Sequence, residues 1–217
     1  MSLTKEQGYI IRERNSGELE RQICEKYDLK QIGGSHTKID GSNSNYRMSI
    51  KNFSGNSTQV HLTTKKHFID TMKVDDLSSK FINLFCGDKD TNNNGKDRYS
   101  INEIDSKYLD AFNKFLKENT EKIVNLLISG SDDITHIIYR NTKTDSILEL
   151  TYQEVIDKVK VCEWVFLSGG IHLKNPEGRT YFHFQREGKK KISNRYNVLW
   201  HIPVSYTHLT LPTNREV

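Results

Sequence analysis

The sequence predicts an α/β fold with a mixed central sheet flanked by helices. Three observations predict it. Residues 46–51 and 59–63 alternate between apolar and polar with the period of two that marks strands. Residues 75–129 instead place apolar side chains at helical spacing, as in Leu77, Phe81, Leu84 and Phe85. From Thr135 the period returns to two, and His136–Arg140 and Ile147–Leu150 read as strands on either side of a turn.

The chain has 217 residues, 35% of them hydrophobic and 28% charged, with a mean hydropathy of −0.70. That composition is polar, yet 10% aromatic residues supply a core. The net charge of +4 and pI near 8.8 permit nucleic-acid binding without requiring it. Cys24, Cys86 and Cys162 lie far apart with no metal-binding spacing, which suits reduced thiols. No apolar run is long enough for a membrane span and no signal-peptide core opens the chain, so a soluble cytoplasmic protein is expected.

Residues 2–14 are polar around Tyr9, Ile10 and Ile11 and read as a turn or first helix. Asn15 followed by Glu18 is a capping-box pattern, and Leu19, Ile23 and Tyr27 recur at the spacing of an amphipathic helix. Gly33-Gly34-Ser35 breaks that pattern. A short apolar approach then reaches Asp40, followed by Gly41 and the polar turn Ser42–Asn45. In the next run Tyr46, Met48 and Ile50 share one face, while Arg47, Ser49 and Lys51 share the other. After a second polar loop, Val60 and Leu62 face inward, and Gln59, His61 and Thr63 face outward. The two runs read as a hairpin. An acid at a strand end, beside a polar face that carries a lysine, can hold a divalent cation and stabilise a phosphoryl transition state.

Asp75 and Asp76 favour a helix start, and the Phe-rich stripe after them reads as core. Gly87–Ser100 matches the first half of a calcium loop at Asp90, Asn92, Asn94 and Gly95. Ile101 stands where the bidentate glutamate belongs, so this stretch reads as a solvated loop. Ile104, Tyr108, Leu109, Phe112, Phe115 and Leu116 give a second long helix, and Ile123–Ile128 continues or follows it. Thr151–Lys160 reads as a short helix and Trp164–Leu167 as a buried strand stopped by Gly169-Gly170. Thr180–Arg186 alternates cleanly and precedes a basic segment. There Arg179, Arg186, Lys189, Lys190, Lys191 and Arg195, interleaved with Tyr181, His183 and Tyr196, suit phosphate contact with stacking. The plainer reading of these cations is an edge strand protected by lysines.

At Asp40 and Ser49-Ile50-Lys51 the sequence resembles the PD-(D/E)XK nuclease superfamily, which includes many restriction endonucleases and Holliday-junction resolvases. The resemblance makes Asp40 the first acid and Ser49-Ile50-Lys51 the acid-x-lysine tripeptide, with serine where the family carries Asp or Glu. Gly17-Glu18-Leu19-Glu20-Arg21 matches a Gly-x-x-Glu-Arg helix that precedes the first acid in several of these nucleases. The resemblance implies a restriction-endonuclease-like mixed sheet with the helical middle, about 75–129, as an insertion. It implies a metal shell of Asp40, Glu20 and the Ile50 carbonyl around Mg2+, with Mn2+ as a substitute. Lys51 would stabilise the phosphorane or orient the attacking water, and Gln59, one strand over, would position water or phosphate.

The function expected is a metal-dependent endonuclease acting on double-stranded DNA, most like a type II restriction endonuclease of a restriction-modification system. A homodimer would suit cutting of both strands. Within the same class stands a Holliday-junction or repair nuclease. Outside it stands a non-catalytic DNA-binding protein on a degenerate nuclease scaffold, which Ser49 favours. A structural protein unrelated to nucleases is the third alternative. A single domain is expected over 1–202, with 203–217 a tail; Val204–Thr213 resembles a translated transposase-adapter sequence.

Overall fold

The structure is a computed structural model and describes residues 17–32, 37–53, 57–87, 99–168, 170–186 and 197–203. In chain order a helix, α1 (17–26), leads into β1 (Lys30–Gln31), β2 (Gly41–Ser42), β3 (Arg47–Phe53) and β4 (Ser57–Thr64). Four helices follow: α2 (Lys65–Met72), α3 (Asp76–Phe85), α4 (Ser106–Glu118) and α5 (Thr120–Ile128). Next come β5 (His136–Asn141), β6 (Ile147–Thr151) and α6 (Tyr152–Lys160). The chain then forms β7 (Glu163–Leu167), β8 (Gly170–Lys174), β9 (Thr180–Arg186) and β10 (Asn197–Pro203). Two compact units result: Met1–Gly55 with Ile128–Val155, and Asn56–Leu127 with Ile156–Val217.

The first unit contains the expected mixed sheet, in the order β1-β2-β3-β5-β6. β3 and β5 run parallel, with Ile50 opposite Ile138, and the other pairs are antiparallel. The predicted alternation of β3 holds. Met48 and Ile50 pack with Ile23, Cys24, Leu29 and Ile138, so α1 covers that face, and Tyr27, Tyr46 and Ile147 border the cluster. α1 ends where Asp28 turns left-handed at φ +50°, and the Leu29 N–H returns to the Cys24 carbonyl at 2.8 Å. Gly41 follows the acid because a Cβ there would sit 2.6 Å from Cys24 Sγ and 3.2 Å from a Leu29 methyl. Arg140 braces the unit from β5: Nη1 donates to Gln22 Oε1 at 2.9 Å and Nε to Asp145 Oδ1 at 2.8 Å.

The second unit contains an antiparallel sheet in the order β4-β10-β9-β8-β7. Most of the helical stripe read from the sequence packs here as core: Phe81 and Phe85 are buried and Leu84 is half-buried, but Leu77 is 49% exposed because it lies on the outer side of α3. Phe81 stacks on Phe112 with centroids 4.8 Å apart, Phe112 meets Phe184 of β9 at 6.0 Å, and Phe184 meets Trp200 of β10 at 5.0 Å. Asp75 caps α3 by accepting the Ser78 N–H at 3.0 Å.

One expectation fails. β3 and β4 do not form a hairpin: β4 pairs with β10, and β3 lies between β2 and β5. The physical reason is burial. Met48, Ser49 and Ile50 are all buried, so β3 is a central strand that needs a neighbour on both edges, and β5 supplies Ile137, Ile138 and Tyr139. The strand read at Trp164–Leu167 does end before Gly169-Gly170, with Leu167 its last residue. β8 begins at Gly170 and pairs antiparallel with β7. The tail 204–217 and the calcium-like stretch 88–98 lie outside the described residues. Among the described residues no helix is long and apolar enough to cross a membrane.

Candidate functional site

The site is built where β2 runs out. β2 pairs with β3 only at Arg47 and Met48, and the Asp40 N–H still donates to the Met48 carbonyl at 2.8 Å. Beyond that point the chain turns away, and the Asp40 side chain takes over the ladder. Its Oδ2 accepts the Ile50 N–H at 2.6 Å. A charged acceptor at the edge of a central strand satisfies a donor that would otherwise be orphaned.

Two side chains from the opposite face of the helix-packed surface of β3 reach the same carboxylate. Lys51 Nζ lies 3.6 Å from Asp40 Oδ2, with the lysine side chain 16% exposed and the aspartate 20%. The Ser49 hydroxyl donates to Oδ2 at a long 3.4 Å, and Ser49 itself is fully buried. Asp40, Ser49 and Lys51 therefore meet at one carboxylate. A half-buried ion pair of this kind has its charges partly stripped of water, so an approaching phosphate would meet a lysine that is only lightly solvated.

Glu20 lies on α1 one turn before Cys24. Burial pushes the Cys24 thiol pKa up, and the Asp40, Glu20 and Glu25 carboxylates push it further, so Glu20 and Asp40 act on the same sulfur. Gln59 sits on β4 opposite His201, and its expected place one strand over from Lys51 is lost with the hairpin. Of the basic residues, Arg179 is exposed in the turn between β8 and β9. Arg186 is occupied, donating to the Phe85 and Tyr99 carbonyls at 3.0 and 2.6 Å with its guanidinium 5.0 Å over the Phe85 ring. Lys189, Lys190, Lys191 and Arg195 lie outside the described residues. Tyr181 is 4% exposed, so it is closed to base stacking, and His183 stacks on His172 at 3.9 Å.

Sequence reading missed Lys38. Burial lowers its ammonium pKa, Lys51 lowers it further, and the Asp40 and Asp132 carboxylates work the other way. Two lysines and two acids thus lie within electrostatic reach of one another. Lys38 follows Thr37 in a stretch with no period of its own, so only the fold could place it.

The donor set can be tested against a magnesium ion. Among the described residues no three His, Cys, Asp or Glu side chains group closely enough to hold a metal. An extended residue sends its N–H and C=O to the same strand edge, so the Ile50 carbonyl leaves β3 on the side of Asp40. One carboxylate and one carbonyl fit Mg2+, which keeps several waters and takes one or two carboxylates. A cavity of about 590 Å3 in the second unit, bordered by Lys117, Thr120, Cys162 and Trp164, includes none of these residues.

No family model and no curated protein matches the chain. Among solved structures it is similar to the restriction endonuclease MspI, determined in complex with its cognate DNA, at a TM-score of 0.46 and 9% identity. The match covers 79% of this chain and 66% of that one.

Proposed function

We propose that this protein is a metal-dependent endodeoxyribonuclease, with its site at Asp40, Ser49, Ile50 and Lys51. The observation that carries the reading is the meeting of Lys51 Nζ and the Ile50 N–H on one oxygen of Asp40, at 3.6 and 2.6 Å. Asp40, the Ile50 carbonyl and Glu20 are the residues that would hold Mg2+, with water completing the shell. When bound, the cation supplies Lewis-acid polarisation of the phosphate and a more acidic water.

The chain's own residues do the rest. The Ile50 amide fixes the Asp40 carboxylate so that it does not swing with solvent. Lys51 places a positive charge where the attacked phosphate gathers negative charge, and its partly buried setting strengthens that contact. The net charge of +4 favours a polyanion. Double-stranded DNA is the substrate proposed, with a type II restriction role and a homodimer as its fuller form.

A second reading rests on Ser49. Its buried hydroxyl occupies the place of an acid, which removes a ligand for a hard cation and favours DNA binding without cutting. Digestion of plasmid DNA with and without Mg2+ or Mn2+ separates the two. Metal-dependent cutting that drops about 100-fold or more in both Asp40→Ala and Lys51→Ala is the expected result. DNA retention without cutting by the wild type would establish the second reading, and neither cutting nor binding would remove both.

A further inference from the structure

The loop between α5 and β5 grips the segment that delivers Asp40. Asp132 Oδ2 accepts the Thr37 hydroxyl at 2.9 Å and the Lys38 N–H at 2.5 Å. The Thr37 hydroxyl in turn accepts the Ile39 N–H at 3.1 Å, which carries the chain of hydrogen bonds to the residue before Asp40. Asp132 is itself held. Its carbonyl accepts the Ser129 hydroxyl at 2.6 Å, and its N–H donates to the Ser129 carbonyl at 2.9 Å. Gly130, at φ +62°, makes the turn that aims it and leaves room for the Lys38 stem, 3.7 Å from where a Cβ would stand. The same loop fixes the start of β3. The Thr135 N–H donates to the Arg47 carbonyl at 2.9 Å, and Arg47 pairs with Asp133.

We infer that Asp132 is a positioning residue for the Asp40–Lys51 site, holding the Thr37–Ile39 main chain so that the Asp40 carboxylate meets Ile50 and Lys51. The inference deepens the nuclease reading and rests on it for its catalytic consequence. Its structural half stands on the hydrogen bonds alone. A single carboxylate oxygen takes two donors from adjacent residues, and these donors sit two and three residues before the acid. Without Asp132 the approach to Asp40 loses these two bonds, and the acid is free to leave the Ile50 amide.

The test compares wild type with Asp132→Ala, Asp132→Asn and Asp40→Ala in the full chain. Amide hydrogen exchange at Ile50 reads the Asp40 contact directly. In Asp132→Ala the Ile50 amide should exchange about 10-fold faster while core amides such as Ile138 keep their wild-type rates. DNA cleavage should lose about 10-fold in kcat with KM within two-fold, because a displaced acid harms the chemical step more than binding. Asp132→Asn keeps an acceptor oxygen and should restore both readouts. Thr37→Val, which removes the hydroxyl that joins Asp132 to the Ile39 N–H while leaving Asp132 and the Lys38 N–H bond in place, carries the test should Asp132→Ala not fold.

Three results overturn the inference. One is unchanged Ile50 exchange in the variants, and another is a uniform rise across all amides of the first unit. The third is an Asp132→Asn variant as impaired as Asp132→Ala. Wild-type protein that cuts no DNA removes the nuclease reading, and the exchange data then decide the positioning role unaided.

Discussion

Gly41 shows how closely the acid is tied to the core beneath it. The next residue after Asp40 has no room for a methyl, since Cys24 Sγ would lie 2.6 Å from its Cβ. Gly41→Ala should destabilise the first unit by about 1–3 kcal/mol, the usual cost of overpacking. Thermal melts of Gly41→Ala, Cys24→Ala and the double variant check this. Partial recovery in the double variant is expected, because removing the sulfur opens the space the methyl needs. Ser49 is the opposite case. Its hydroxyl reaches Asp40 at only 3.4 Å, so Ser49→Ala should cost about 1 kcal/mol or less in stability. Under the nuclease reading it should leave cleavage within ten-fold of wild type, whereas Lys51→Ala should not. A plasmid digestion series reads both.

Local signals decided which elements were legible. α3 and α4 were readable because a helix announces itself within its own length, through a 3.6-residue stripe and a capping aspartate. The Asp75 cap carries a pH signature. Burial works against its carboxylate, but hydrogen bonds from Ser78 and Leu77 outweigh that and hold its pKa below the ordinary aspartate value. The unfolded chain therefore takes up the proton first as the pH falls. The cap's stabilisation is complete above about pH 4 and disappears as the pH falls through the lower folded value. Asp75→Ala should cost about 1 kcal/mol at pH 7 and progressively less below pH 4, in denaturant melts across that range. Faces were legible too, since a period of two put Ser49 and Lys51 together. Partners were not. Alternation states which way a side chain points and says nothing of which strand lies alongside, so adjacency in the chain points to β3 as the neighbour of β4 where the sheet has β10. Asp132 was invisible for the same reason, lying 94 residues from the Lys38 amide it holds.

At the scale of the molecule, each unit is closed by chain from two distant stretches. β10 lies between β4 and β9, so one strand joins the earliest and the later parts of the second sheet. A chain ending at residue 196 should therefore lose the pairing of β4 and β9 together, not merely an edge. Circular dichroism and a thermal melt would register this as lost strand signal and a lower Tm. Survival of full strand content would contradict the central placing of β10.

The parallel pair of β3 and β5 has a consequence during synthesis. Phe53 leaves the ribosome well before Thr151 closes the β5–β6 hairpin, and at 5–20 residues per second the wait is about 5–20 s. For most of that wait the nascent chain holds Asp40 and Lys51 but lacks β5, one of the two strands that flank β3. The unpaired edge of β3 is meanwhile open to chaperones or to other nascent chains. Ribosome-stalled chains ending shortly after Phe53 should accordingly aggregate or bind chaperone, and those extended past Val155 should not.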